Sequence, residues 1–315
     1  MPAPKSPRKG SLQFYPRKRA SKLLPSVNWA PIKADSQGIL GFIAYKVGMA
    51  SAIVKNTTDK AMTAGKKIVI PATILETPNM KIFSVRFYKN NKVVKDVVIS
   101  HDKELKRKLR VPKQTSDLSK IPENYEDIRI VVYSLPKQTS IKKTPDIGEL
   151  AISTNNKLEF VKSLINKELT IKDFVKTHLV DVRGLTKGKG IQGPVKRFGI
   201  GLKQHKSEKG VRRPGSLGPW HPARVSFRTP MAGQLGFFTR THYNNKIIAL
   251  GNIKERDINP NSGYKNYGKI QTSYIVLAGS VQGPPKRQVL ITPSFRPTKH
   301  QLKKKYEFIE LVNKV

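Results

Sequence analysis

Residues 39–46, Ile39-Leu40-Gly41-Phe42-Ile43-Ala44-Tyr45-Lys46, form an apolar, aromatic-bearing run of strand length directly after a basic, proline-punctuated segment. The same texture recurs at Ile68–Leu75, Ile82–Tyr88 and Val93–Ile99, and returns near the other end of the chain at Ile247–Ile253, Ser273–Val281 and Gln288–Thr292. Runs of β-branched and aromatic residues bounded by Gly and Pro predict strands. Because the two sets lie far apart in sequence, a β-barrel or sandwich assembled from both ends of the chain is the economical fold.

Five segments follow from this reading. Residues 1–37 are a basic N-terminal arm, 38–100 the first part of the barrel, 101–180 an α/β insertion, 181–295 the second part of the barrel, and 296–315 a C-terminal tail. The insertion mixes Lys and Arg with Asp and Glu. It carries helical candidates at His101–Arg110 and Leu158–Glu168 and a strand candidate at Ile128–Ser134; Leu158, Val161, Leu164 and Ile165 follow helical spacing and are expected to face a core.

Composition limits function. The 315 residues include 60 Lys and Arg against 21 Asp and Glu, a formal charge of +39, with 37% hydrophobic residues. Self-repulsion on that scale calls for a polyanionic partner. The absence of cysteine excludes disulfides and Cys-ligated zinc or iron–sulfur sites. No apolar region follows Met1-Pro2-Ala3-Pro4-Lys5, and no window approaches the roughly 18 apolar residues of a membrane span, so a soluble intracellular protein without a membrane partner is expected.

The charge is not spread evenly. Between Asp181 and Glu255 the single acid is Glu208, set against Arg183, Lys187, Lys189, Lys196, Arg197, Lys203, Lys206, Lys209, Arg212, Arg213, Arg224, Arg228, Arg240, Lys246 and Lys254. Glycines throughout this stretch oppose long regular elements. The span from about 196 to 240 has neither periodicity nor enough aliphatics for a core, so its order must come from a partner. As an out-and-back finger, each leg of roughly 22 residues would reach at most about 70 Å. The arm repeats the pattern, with Arg17, Lys18 and Arg19 among prolines, and Phe14, Tyr15 and Trp29 placed among the cations. That mixture predicts an arm that orders on its partner.

Enzyme chemistry finds no positive support in the sequence. Gly188-Lys189-Gly190-Ile191-Gln192-Gly193 matches the dinucleotide pattern G-x-G-x-x-G after a plausible strand, Leu179–Leu185. The pattern should open a helix, and Pro194, Gly199 and Gly201 argue that none starts there. The histidines form no H-E-x-x-H pair, and no G-x-S-x-G elbow is present. No catalytic residue, metal site, cofactor or small-molecule substrate is therefore assigned.

Trp220 stands in Arg212-Arg213-Pro214-Gly215-Ser216-Leu217-Gly218-Pro219-Trp220-His221-Pro222, without the apolar neighbours of a core tryptophan. It either packs under its own loop or, with His221, stacks on unpaired bases while Arg212, Arg213 and Arg224 neutralise phosphates. Duplex DNA readers present a helix or ribbon, and this irregular basic segment suits a folded RNA better.

Three blocks carry a family resemblance: Gly41-Phe42-Ile43-Ala44-Tyr45-Lys46-Val47-Gly48-Met49, Asp181 through Gly193, and Gly215 through Pro222. Their order and spacing resemble the universal large-subunit ribosomal protein L-three family over nearly the whole chain, to the Gly279-Ser280-Val281-Gln282-Gly283-Pro284 turn. The Trp220 block and the long insertion resemble its archaeal and eukaryotic branch. Phe198, where related members often have tryptophan, and Pro194 are departures. The resemblance implies a translation-factor-like β-barrel plus long irregular basic extensions, with the central finger penetrating ribosomal RNA toward the peptidyl transferase centre. It also implies binding near the 3′ end of the large ribosomal RNA and an early part in subunit assembly. In some eukaryotic members a finger histidine is methylated; His205 is the nearest position here, at a longer spacing from Trp220, and that modification is not carried over.

The sequence is therefore read as a non-enzymatic, mainly β protein whose partners are large-subunit ribosomal RNA and other large-subunit ribosomal proteins. Its expected RNA-binding residues are Arg17, Lys18, Arg19, Lys187, Lys189, Lys196, Arg197, Lys203, His205, Lys206, Lys209, Arg212, Arg213, Trp220, His221, Arg224, Arg228 and Arg240. An RNA-modifying enzyme and a DNA-architectural protein are the competing readings.

Overall fold

The computed structural model describes residues 7–32, 38–113, 121–122, 124–206 and 209–312. Lys5, Lys33 and Asp35 of the expected arm, and Glu208, lie outside them. Along the chain, the strands are β1 (Gly38–Ile39), β2 (Phe42–Asn56), β3 (Lys67–Thr77), β4 (Met80–Lys89), β5 (Lys92–Val98), β6 (Asp127–Ser134), β7 (Ile147–Ser153), β8 (Leu179–Leu185), β9 (Ile191–Gln192), β10 (Gly233–Gln234), β11 (Thr239–Asn252), β12 (Ser273–Ala278), β13 (Gln288–Pro293) and β14 (Tyr306–Val312). Short helices α1 (Lys157–Leu164), α2 (Ile171–Phe174), α3 (Pro194–Phe198) and α4 (Lys299–Lys303) complete the set. The protein is mainly β, and the ladders of β1 with β7, β10 with β9, β11 with β12, β12 with β3, β13 with β2 and β8, β2 with β14 and β3, β4 with β5 and β6, and β6 with β7 are antiparallel.

The described residues fall into two compact units, 22–184 with 240–315, and 1–21 with 185–239. In the larger unit one sheet runs β13-β8-β11-β12-β3-β2-β14, and β13 also pairs with β2, so six of its strands close into a ring with β14 added at the side. The ring joins the two ends of the chain as expected: Val289 stands opposite Ala44, and Ile275 opposite Leu75. A second sheet, β1-β7-β6-β4-β5, has five strands.

That second sheet changes the expected partition. β4 and β5, expected in the first part of the barrel, lie instead in one sheet with β6 and β7 of the 101–180 segment, β4 pairing with β6 on one side and with β5 on the other. A shared core explains it, because Phe42, Ile43 and Leu75 of the ring strands pack in one cluster with Val85, Phe87, Ile130 and Leu150 of the five-stranded sheet. Each such fully buried side chain contributes about 2 kcal/mol relative to exposure. A second cluster, containing Val54, Ile74, Ile248, Tyr274 and Val276, takes the alternate positions of the ring strands.

Several local expectations need correction. Of His101–Arg110 only one tight turn, Leu105–Arg107, is helical, with Leu105 buried. Five cations in those ten positions leave no apolar stripe to stabilise more. Leu158–Glu168 stops at Leu164, where Ile165 turns extended and Asn166 takes φ 64°. Residues 296–312, expected as a tail, hold α4 and β14, and β14 pairs with β2 from Tyr306↔Asn56 to Val312↔Ser51. Trp29, expected to await a partner, is buried in the large core with its Nε1 donating to the Glu149 carbonyl at 3.0 Å.

The 41–49 block and the 279–284 turn meet through Lys46. Its buried ammonium donates to the carbonyls of Val281 and, at 2.9 Å, Gly283, while backbone bonds run from Lys46 N to Arg287 O and from Lys286 N to Lys46 O. Burial pushes this ammonium below its usual pKa.

Candidate nucleic-acid interface

The smaller unit is built from the base outward. The Thr186 amide donates to the Phe238 carbonyl, Lys189 N to Leu235 O, and Leu235 N to Gly190 O; β9 and β10 then pair Ile191 with Gln234 and Gln192 with Gly233. Gly236 is required here, since at φ 72° an added Cβ would fall 2.0 Å from the Lys187 carbonyl oxygen. Beyond this ladder comes α3, which corrects the expectation that no helix starts after Gly193. Pro194 sits at its first position, where a missing amide costs nothing, and Gly199 ends it with φ 68°. Five residues long, and with the Lys189 amide already used in the ladder, this is not a dinucleotide cradle.

Arg17 and Arg197 hold the unit together. The Arg17 guanidinium lies 4.3 Å from the Phe198 ring centroid and donates to the Arg197 carbonyl at 3.1 Å. Arg197 Nε donates to the Gln234 carbonyl and its Nη1 to the Met231 carbonyl, each at 3.0 Å. Burial, and then the charge of Arg17, lower the Arg197 pKa. Tyr15 packs edge-on against Phe227 at 5.3 Å, and the Ala20 amide donates to the Phe237 carbonyl. The arm from Gly10 to Ala20 is thus ordered within the protein itself. Gly10, at φ 81°, allows the close approach, because a Cβ there would meet Phe198 and Arg17 at 2.7 Å.

Further out, the Lys203 amide donates to the Val211 carbonyl, and the Thr229 hydroxyl donates to the Leu217 carbonyl at 3.0 Å. The second bond closes a loop over 217–229 that carries Trp220, His221, Arg224, Phe227 and Arg228. Trp220 is 88% exposed and Phe227 64% exposed. Packing of Trp220 under its own loop is therefore not what the structure shows.

Every expected RNA-binding residue except Arg240 lies in this unit. Lys18, Arg19, Lys187, Lys189, Lys196, His205, Lys206, Lys209, Arg212, Arg213, Trp220, His221, Arg224 and Arg228 are exposed; Arg17, Arg197 and Lys203 are half-buried. Arg240 is on β11 of the other unit, where its carbonyl accepts from Gln282 Nε2 at 3.0 Å. Sequence reasoning missed Phe227; its signal was the Phe227-Arg228 pair, with the guanidinium 5.7 Å from the ring centroid. It also left out Arg8 and Lys9, both exposed in the same unit. The described residues of the unit contain no Asp or Glu. Among the described residues of the whole chain, no helix is long and apolar enough to cross a membrane, and no group of three or more potential metal ligands forms.

Fold and charge together define the class: a β-sheet scaffold protein that carries an irregular, carboxylate-poor cationic unit. The chain belongs to the family described as ribosomal protein L3, whose profile matches residues 1–111 and 86–313. It is 39% identical over 315 residues to the large ribosomal subunit protein uL3 of Methanocaldococcus jannaschii, covering 94% of this chain and 93% of that one. It is 40% identical over 309 residues to uL3 of Methanococcus vannielii, covering 92% of both chains. With uL3 of Archaeoglobus fulgidus it shares 38% over 310 residues, 93% of both. These relatives are archaeal, on the expected branch of the family. The family is a structural component and not an enzyme.

Proposed function

We propose that the protein is a structural constituent of the large ribosomal subunit that binds large-subunit ribosomal RNA, near its 3′ end, through residues 7–21 and 185–239. The ring of the larger unit serves as a translation-factor-like barrel, the smaller unit as the finger, and neighbouring large-subunit proteins complete the surroundings. The loop over 217–229 extends toward the peptidyl transferase centre, where Trp220 and His221 stack on unpaired bases and shape the tRNA path while the reaction stays with the RNA.

The observation that carries this reading is a unit whose described residues hold sixteen Lys and Arg and no carboxylate, with Trp220 88% exposed at a hydrogen-bonded loop. In water alone these charges only repel one another; phosphates at the crowding points of RNA helices turn the repulsion into attraction. Exposed aromatics beside arginine supply sequence-tolerant stacking on bases.

Sucrose-gradient fractionation of a native extract, at moderate salt and after a high-salt wash, tests the proposal. Co-migration with large subunits that survives the wash is expected for a component threaded into RNA. Recovery only in light fractions, or loss on washing, would overturn it in favour of a transient factor or a DNA binder.

A further inference from the structure

We propose that the end of the ring sheet made by the β2–β3 turn and residues 303–305 is a second phosphate-binding surface, which takes the sugar-phosphate backbone of RNA in addition to the 185–239 unit. The inference rests on the RNA-binding reading above and adds a separate site to it.

The turn is firmly held. The Thr57 amide donates to the Lys305 carbonyl and the Lys305 amide to Thr58 Oγ1, both at 3.0 Å, and Asn56 N and Gly65 N bond across the base of the turn to Lys66 O and Asn56 O. On this base the lysines are crowded. Lys55 and Lys67 are register partners across the β2–β3 ladder, both exposed, and so share one face of the sheet. Like charges directly opposite one another on a sheet are destabilising. Lys60 and Lys66 add two exposed cations from the turn itself.

Lys246 makes the imbalance sharper. It is only 7% exposed, its ammonium makes no hydrogen bond or ion pair among the described residues, and the charge of Lys305 acts on it. Burial, and then that neighbour, lower its pKa. Three carboxylates stand beside the group: Asp59, Glu307 and, opposite Ile53 further along the same face of β2, Glu310. Asp59 lies 3.2 Å from Lys305 with both side chains well exposed, an arrangement that contributes little. Glu307 stands opposite Lys55 on the β14 ladder and balances one of the lysines. The excess positive charge is therefore left for a ligand.

The shape favours a phosphate backbone over an acidic protein. The cations sit around a projecting turn, and Met62, 98% exposed, is the large apolar side chain at its tip. Flexible ammonium groups act as point charges along a line of phosphates and impose no fixed orientation on them.

The test uses the full chain and transcribed large-subunit ribosomal RNA of Methanocaldococcus jannaschii. Binding is measured across a salt series for wild type, for a triple variant Lys60→Gln, Lys66→Gln and Lys67→Gln, and for the triple Lys→Arg variant at the same positions. The Gln variant is expected to lower the salt slope by about two, at roughly 0.7 to 0.9 per lost phosphate contact. The Arg variant, which keeps the charge, should keep the slope. A slope unchanged by Gln, while Arg212→Ala with Arg213→Ala still lowers it, overturns this surface and leaves the proposed function intact. Loss of slope in the Arg variant as well would trace the effect to folding and overturn the proposal. If the wild-type chain itself shows no salt-dependent binding, the proposed function falls and this inference with it.

Discussion

The guanidinium of Arg17 lies 4.3 Å from the ring centroid of Phe198, 181 positions further along the chain, and donates to the carbonyl of Arg197. Part of the cationic charge expected to reach for RNA is thus used to hold the 10–20 segment onto Arg197 and Phe198 of the same unit. Arginine suits this role because its planar group stacks on a ring and bonds a carbonyl at once. The Arg17→Ala variant is expected to loosen residues 7–20 by about 1 kcal/mol, in the range of a partly exposed cation–π contact. Hydrogen exchange should show faster exchange at the Ala20 amide with the β2–β3 ladder unchanged. Uniform loss of protection in both units would assign Arg17 to the stability of the whole chain.

Arg212 and Arg213 are exposed, in contrast to Arg17, and no carboxylate is present among the described residues of their unit. Replacing both by Ala is expected to weaken RNA binding and flatten its salt slope by about two, with thermal stability unaltered. A slope equal to wild type would mean that neither side chain touches phosphate.

For Trp220, exposure separates folding from function. A side chain 88% exposed has little to lose in the free protein, so Trp220→Ala should change its stability by no more than about 0.5 kcal/mol. The effect should emerge in assembled ribosomes, as altered tRNA accommodation or altered sensitivity to drugs at the catalytic centre. A destabilised free protein would return Trp220 to a packing role.

The course of the chain shows which parts of this were legible in sequence. Leu179–Leu185 reads as a strand and is one, because apolar residues dominate a short run that is buried almost throughout. Strand β14 was missed because Glu307 and Glu310 interrupt its apolar residues; on the last strand added to a sheet those acids stay exposed, with Glu307 opposite Lys55. Trp29 was misjudged because its cationic neighbours in sequence are not its neighbours in space, where the core and the Glu149 carbonyl receive it. The irregular basic stretch is more readable in the sequence than the pairing of the sheets. Charge depletion and glycine content act locally, whereas the pairing of β4 with β6 is decided by a core that no single segment reveals.

Alkaline pH should expose the buried polar centre of the ring. Glu76 is fully buried and accepts from the amides of Gln271 and Thr272 at 2.9 and 3.1 Å, from Thr272 Oγ1 at 3.0 Å, and from the Tyr267 hydroxyl. Burial, and then the charge of Glu76, raise the pKa of Tyr267; burial, and then Asp146, raise that of Tyr45. Both phenols are protonated in folded and unfolded chains below about pH 10, so their contribution is fully present there. Above it the unfolded chain releases protons that the fold retains, and stability falls by up to about 1.4 kcal/mol per pH unit for each tyrosine. Phenolate absorbance and far-UV circular dichroism, followed together, should show these two tyrosines ionising only as the sheet is lost. Tyr267→Phe removes one ionisation and should make the alkaline decline shallower. The same variant leaves Glu76 one donor short, so the stability at neutral pH should drop by about 1 to 3 kcal/mol. Ionisation of every tyrosine with the dichroism still native would show that neither phenol is sealed inside the fold.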